Sequence, residues 1–140
     1  MSNSEFSHAC ISLDKENKEF YSFNYKGFAV EHHKKRSGLC IQMRVSEKVY
    51  LQAQNRIKEF INENSKYKYS YFGMLLCMLH IPHRFKRHYF CSQFVAELLS
   101  YVGIVKLKKQ ASLYLPYHLI SEVDYCNQVI HKQWVQGKCV

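Results

Sequence analysis

Ten residues constrain this chain more than any others: Phe90-Cys91-Ser92-Gln93-Phe94-Val95-Ala96-Glu97-Leu98-Leu99. Phe94, Val95, Leu98, Leu99 and Val102 recur at three- and four-residue steps, the spacing of one buried helical face. Gly103 supplies a natural C-terminal stop. Whatever the fold, this helix must lay that face on an apolar layer. Cys91 then falls in the first helical turn, where unpaired amides and the positive end of the dipole favour a thiolate. The spacing thus predicts a core helix with a thiol at its positive end.

The chain has 140 residues, enough for one domain with a sizeable core. Its many tyrosines and phenylalanines, with only two prolines and no repeats, exclude the disordered class. The six cysteines, Cys10, Cys40, Cys77, Cys91, Cys126 and Cys139, form no Cys-x-x-Cys pair, which argues against a zinc ribbon. Scattered thiols of this kind serve mostly as small buried hydrophobes. No Cys/His spacing matches a metal site, and adjacent His32-His33 cannot easily share one ion, so no metal and no cofactor are expected. Residues 1–6 carry no apolar signal core, and the longest apolar run, 71–79, is too short to cross a bilayer. A cytoplasmic protein with free thiols and no membrane partner is expected.

The formal charge is +9, with basic clusters at Lys34-Lys35-Arg36, at residues 83–88 and at Lys106-Leu107-Lys108-Lys109. Such a balance attracts anions, although charge runs are most often solvated surface. A non-catalytic nucleic-acid-binding domain, using the aromatic and basic residues of 67–72 and 83–89, is one function class compatible with it.

Extended segments are expected at 7–13, 19–24, 27–31 and 39–45. In the first, His8, Cys10 and Ser12 share one face and Ala9, Ile11 and Leu13 the other, with a polar turn at 14–18 making a hairpin to the second. Ser46 is a candidate N-cap for a helix over 46–64 whose inner face carries Val49, Ala53, Ile57, Phe60 and Ile61. A short helix is expected at 73–79, ended by Pro82. Pro116 is assigned to a loop and Val129-Ile130 to a possible strand. The sum is an α+β chain, an antiparallel sheet with helices segregated from it.

A cysteine nucleophile needs a base within hydrogen-bond reach and a group that orients the base. His8 on its strand and Cys91 on its helix are the candidate pair. With the pieces Phe6-Ser7-His8-Ala9-Cys10-Ile11, Phe20-Tyr21-Ser22-Phe23, Gly27-Phe28-Ala29-Val30-Glu31 and Tyr89-Phe90-Cys91-Ser92-Gln93-Phe94-Val95, the layout resembles the circularly permuted branch of the NlpC-type papain-like cysteine hydrolases, the YiiX/YaeF-like proteins. In that branch the histidine strand precedes the cysteine helix. The resemblance implies a central antiparallel sheet with the cysteine helix packed on it. It also implies Cys91 as nucleophile, His8 as base, and a polar third residue on the strand after the histidine strand. Strand counting favours Ser22 for that place; chemistry favours Glu31, whose carboxylate would hold the histidine tautomer and stabilise its cation. Glu31 is taken here.

The resemblance implies a cysteine hydrolase, an amidase or peptidase, acting on amides of cell-wall peptides or other acylated amino groups, and the basic charge favours a small anionic substrate. A lipid acyltransferase of the same architecture is the alternative within the resemblance. Members of the branch usually carry a further segment before the histidine strand. Seven residues precede His8, so the single domain of residues 1–140 is either trimmed there or begins further upstream.

Overall fold

The first regular element of the chain is an aromatic-rich hairpin. In the computed structural model, which describes residues 7–14, 19–32 and 38–135, strands β1 (Glu19–Asn24) and β2 (Gly27–His32) pair antiparallel across a Tyr25-Lys26 turn. The turn needs Gly27. Its φ is +106°, and a Cβ there would lie 2.8 Å from the Tyr67 carbonyl oxygen. By the two-residue period, Phe23 and Phe28 share one face of the hairpin, while Ser22, Ala29 and Glu31 share the other. Phe23 and Phe28 enter the core.

The segment over 7–13 is extended but does not form the expected strand. It makes one antiparallel bridge, Ile11 to Tyr21, with N–H···O distances of 3.0 and 2.8 Å. Ser22 Oγ then donates to the Ala9 carbonyl at 2.6 Å. Ser22 lies on the face of the hairpin opposite the core. The chain therefore leaves the sheet edge at Ile11 and crosses over that face, instead of prolonging the ladder. The expected turn lies largely outside the described residues.

Strand β3 (Gly38–Met43) pairs antiparallel with β6 (Val129–Val135), with an irregularity at Gln42/Met43. The two-residue strands β4 (Lys68–Tyr69) and β5 (His88–Tyr89) pair in parallel. Among the described residues the strands form three separate two-stranded ladders, in place of the single central antiparallel sheet expected. The reason is long-range: β3 takes the C-terminal strand as its partner and leaves the β1–β2 hairpin as its own unit. The class is nonetheless α+β, with antiparallel ladders and four helices.

Helix α1 (Glu47–Asn62) starts as expected, with Ser46 Oγ accepting the Val49 N–H at 3.3 Å. Ala53, Ile57 and Phe60 are buried, but Ile61 is 42% exposed. Phe60 takes the core position, and its neighbour is turned about 100° away. Helix α2 (Tyr71–Met78) is capped by Ser70 Oγ, which accepts the Gly73 N–H at 3.1 Å. It stops well before Pro82, with His80 left-handed at φ 57°. Helix α3 (Cys91–Tyr101) ends with Gly103 at φ +79°, where the spacing put its stop.

Helix α4 (Pro116–Asp124) corrects the loop assigned to Pro116. Proline at the first helical position loses no hydrogen bond and has its φ preset. His118 Nδ1 accepts the Leu115 N–H at 3.0 Å and closes that turn.

At the centre Phe23 is ringed by Phe28, Phe60, Tyr67, Tyr89 and Phe94, with centroid distances of 5.0 to 6.4 Å. Helix α3 is enclosed further than one apolar face requires: Ser92, Gln93 and Ala96 are buried along with Phe94, Val95, Leu98 and Leu99. The Ser70 N–H donates to the Tyr89 carbonyl at 2.9 Å, continuing the β4–β5 pairing. Helices α2 and α3 thus start side by side at one end of that ladder.

Candidate functional site

The short strand β5 delivers the chain directly into the first turn of α3, so Cys91 is fixed by two elements at once. Phe90, the N-cap, has no side chain able to take the first-turn amides. Those N–H groups remain oriented toward the start of the helix, where they stabilise negative charge. Cys91 is buried. Burial alone pushes its pKa up. Hydrogen bonds with the His8 ring and the backbone of Ala9 and Ser92, together with the charge of His8, outweigh that and bring it below the ordinary thiol value.

His8 is carried to this place by the crossing segment, which the Ser22–Ala9 hydrogen bond holds down on the hairpin. Its Nε2 lies 3.3 Å from Glu31 Oε2, with the two side chains 22% and 32% exposed. The hydrogen bond with Cys91 raises the imidazole pKa, burial lowers it, and the charges of Cys91 and Glu31 raise it again; the net direction is up. The two shifts have opposite signs and a shared cause. Each partner stabilises the charged form of the other, which favours a thiolate–imidazolium pair.

Cys91, His8 and Glu31 are therefore brought together. Ser22 is fully buried, and its hydroxyl donates to the Ala9 carbonyl, so it acts on the backbone next to His8. Ser22 and Glu31 share the face of the hairpin over which His8 passes. Tyr69 is a further neighbour. It is half-buried, and burial followed by the charge of Cys91 raises its pKa. The aromatic run over 67–72 was its sequence signal, although nothing in the run singled out Tyr69.

The other sequence candidates fall elsewhere. Lys34-Lys35-Arg36 and Cys139 lie outside the described residues. Arg84 is occupied by Glu97, with Nε–Oε1 at 2.8 Å, and by the Tyr89 hydroxyl at 2.9 Å. Lys108 and Lys109 lie over the rings of Tyr125 and Tyr114. Among the described residues Cys40, Cys77, Cys91 and Cys126 are free thiols. Among the described residues no group of three or more His, Cys, Asp or Glu side chains is placed to hold a metal ion. No described helix is long and apolar enough to cross a membrane. A cavity of about 410 Å³ lies between Arg56, Arg84, Glu97 and Tyr101, and one of about 520 Å³ between Leu13, Tyr21, Tyr50 and Ile61; neither is lined by Cys91.

No protein-family model matches the chain, and no curated protein or solved structure shows significant similarity to it.

Proposed function

We propose that this protein is a cysteine hydrolase acting on amide bonds, with Cys91 as nucleophile, His8 as general base and acid, and Glu31 as the residue that orients His8. The observation that carries the reading is the array itself: a thiol at a helix N-terminus, an imidazole between thiol and carboxylate, and opposite shifts of thiol and imidazole toward their charged forms. A papain-like permuted fold is the architecture that fits this array and the order of its residues in the chain.

In this mechanism the Cys91 thiolate attacks the amide carbonyl carbon, and the electron pair of the C=O bond moves to oxygen. Backbone N–H groups at the start of α3 stabilise that oxyanion. As the intermediate collapses, the C–N bond breaks and the His8 imidazolium gives its proton to the departing amine. An acyl thioester remains on Cys91. Water then attacks it, His8 takes the water proton, and the thiolate leaves to release the acid. Glu31 accepts from Nε2–H throughout, leaving the other ring nitrogen for sulfur and offsetting the imidazolium charge. The net charge of +9 favours an anionic peptide or acylated amine as substrate.

The test is the pH profile of iodoacetamide alkylation, with each modified cysteine mapped by mass spectrometry. Only thiolate reacts. Because the Cys91 pKa lies below the ordinary thiol value, Cys91 is expected to react at pH values where a free model thiol, N-acetylcysteine, has stopped. In His8→Ala the inflection should move upward, since burial of the thiol remains while the stabilising ring is gone. A Cys91 that titrates with the model thiol or above it, or that reacts only after unfolding, overturns the proposal.

A further inference from the structure

Helix α2, Tyr71-Phe72-Gly73-Met74-Leu75-Leu76-Cys77-Met78, carries no charge and no polar group beyond the Tyr71 hydroxyl. Yet only Gly73 and Cys77 are buried in it. Tyr71, Phe72, Leu75, Met78 and Leu79 are 49 to 65% exposed. At about 100° per residue these five fall within one continuous stripe, opposite Gly73 and Cys77. Ile81, 46% exposed, extends it. Single exposed apolar side chains need no explanation, but a contiguous stripe of them marks an interaction surface.

Its surroundings are one-sidedly basic. Residues 64–96 contain no Asp or Glu, but hold Lys66, Lys68, Arg84, Lys86 and Arg87. Lys66 and Arg84 have acidic partners in Glu63 and Glu97. Lys68, Lys86 and Arg87 are exposed and make no ion pair among the described residues. Geometry places these three at one end of the stripe. Phe85 packs edge-on against Phe72 at 5.7 Å, so Lys86 and Arg87 follow beside it. The Lys68 N–H donates to the Arg87 carbonyl at 2.9 Å, which draws Lys68 to the same end.

We infer that the exposed face of α2, with the cationic rim of Lys68, Lys86 and Arg87, is a docking surface for an anionic lipid bilayer. Eight residues cannot cross a membrane, but lying in its interface requires only an apolar stripe to insert and cations to meet the headgroups. The length arguments that exclude spanning do not bear on this mode. Charge decides between bilayer and a second copy of the chain. Self-association through α2 would bring together two copies of a protein of net charge +9 and leave their cationic rims uncompensated, whereas an anionic headgroup layer complements them. The inference stands apart from the chemistry of Cys91.

The experiment is co-sedimentation of the full chain with phosphatidylcholine vesicles, with and without phosphatidylglycerol. Binding is expected only where phosphatidylglycerol is present, and should weaken as salt is added. Lys86→Gln and Arg87→Gln should each lower partitioning about fivefold. Leu75→Glu combined with Met78→Glu should abolish it, while Ile130→Glu, at an exposed position on β6, should leave it unchanged. The α2 substitutions are at exposed positions, so circular dichroism should show an unchanged fold, and Cys91 alkylation should match that of the wild type.

Failure to sediment with either vesicle, equal binding to both, or wild-type binding by the double variant refutes the inference. So does a dimer that Leu75→Glu converts to monomer, because a second copy would then cover the stripe.

Discussion

The contact between His8 and Glu31 and the hydrogen bond from Ser22 to Ala9 predict two variants that fail in different ways. In Glu31→Gln the amide oxygen can still accept from Nε2–H, so the ring keeps its orientation and only the negative charge is lost. The pair is 3.3 Å apart and partly solvated, with side chains 22% and 32% exposed. Ion pairs of this kind are worth about 0.2–1 kcal/mol. That corresponds to a roughly 1.4- to 5-fold smaller thiolate–imidazolium population, using about 1.4 kcal/mol per tenfold. The Cys91 alkylation rate, measured near pH 6 where ordinary thiols are almost silent, should fall by that factor while the thermal midpoint barely moves.

Ser22→Ala should behave in the opposite way. Ser22 is fully buried and its bond to Ala9 is 2.6 Å, so truncation leaves a carbonyl without its donor, at a cost of about 1–3 kcal/mol. For a chain of this size each kcal/mol lowers the midpoint by roughly 3–5 °C. Alkylation of Cys91 in the folded protein should change less than in Glu31→Gln. If Ser22→Ala proves the slower at Cys91 with an unchanged midpoint, and Glu31→Gln proves the unstable one, the assignment of Glu31 to the ring and Ser22 to the backbone is refuted.

Phe23→Ala should cost about 3–5 kcal/mol in urea unfolding, because five aromatic rings close around Phe23; an effect below about 1 kcal/mol would mean the cluster does not organise the core. Gly27→Ala should cost about 1–3 kcal/mol, since it strains a residue at φ +106° and drives a methyl group against the Tyr67 carbonyl. Gly38→Ala, which meets nothing within 4 Å, should lie within about 0.5 kcal/mol of neutral; equal losses at the two glycines would contradict the turn geometry.

Helices α1 and α3 were legible in the chain because their signals are local, whereas α4 was not. Ser46 caps α1, the three- and four-residue spacing of Phe94, Val95, Leu98 and Leu99 lies on α3, and Gly103 stops it; each depends on neighbours within a turn or two. Cys91 at a helix start was readable for the same reason. What could not be read was set by contacts between distant segments. The alternation over 7–13 fits a ladder strand, yet one hydrogen bond from Ser22 turns the chain across the hairpin, and that crossing brings His8 to Glu31. A period-2 pattern states which residues share a face, not which edge or face of another strand the segment will meet. Likewise β3 finds its partner near the C-terminus and the strands divide into separate ladders, since pairing is decided by long-range closure and packing, which no short window contains. The residue types of the candidate site were thus written in the chain, while their juxtaposition arose from folding, where burial and one backbone-directed hydroxyl fix how the ends of separate elements meet.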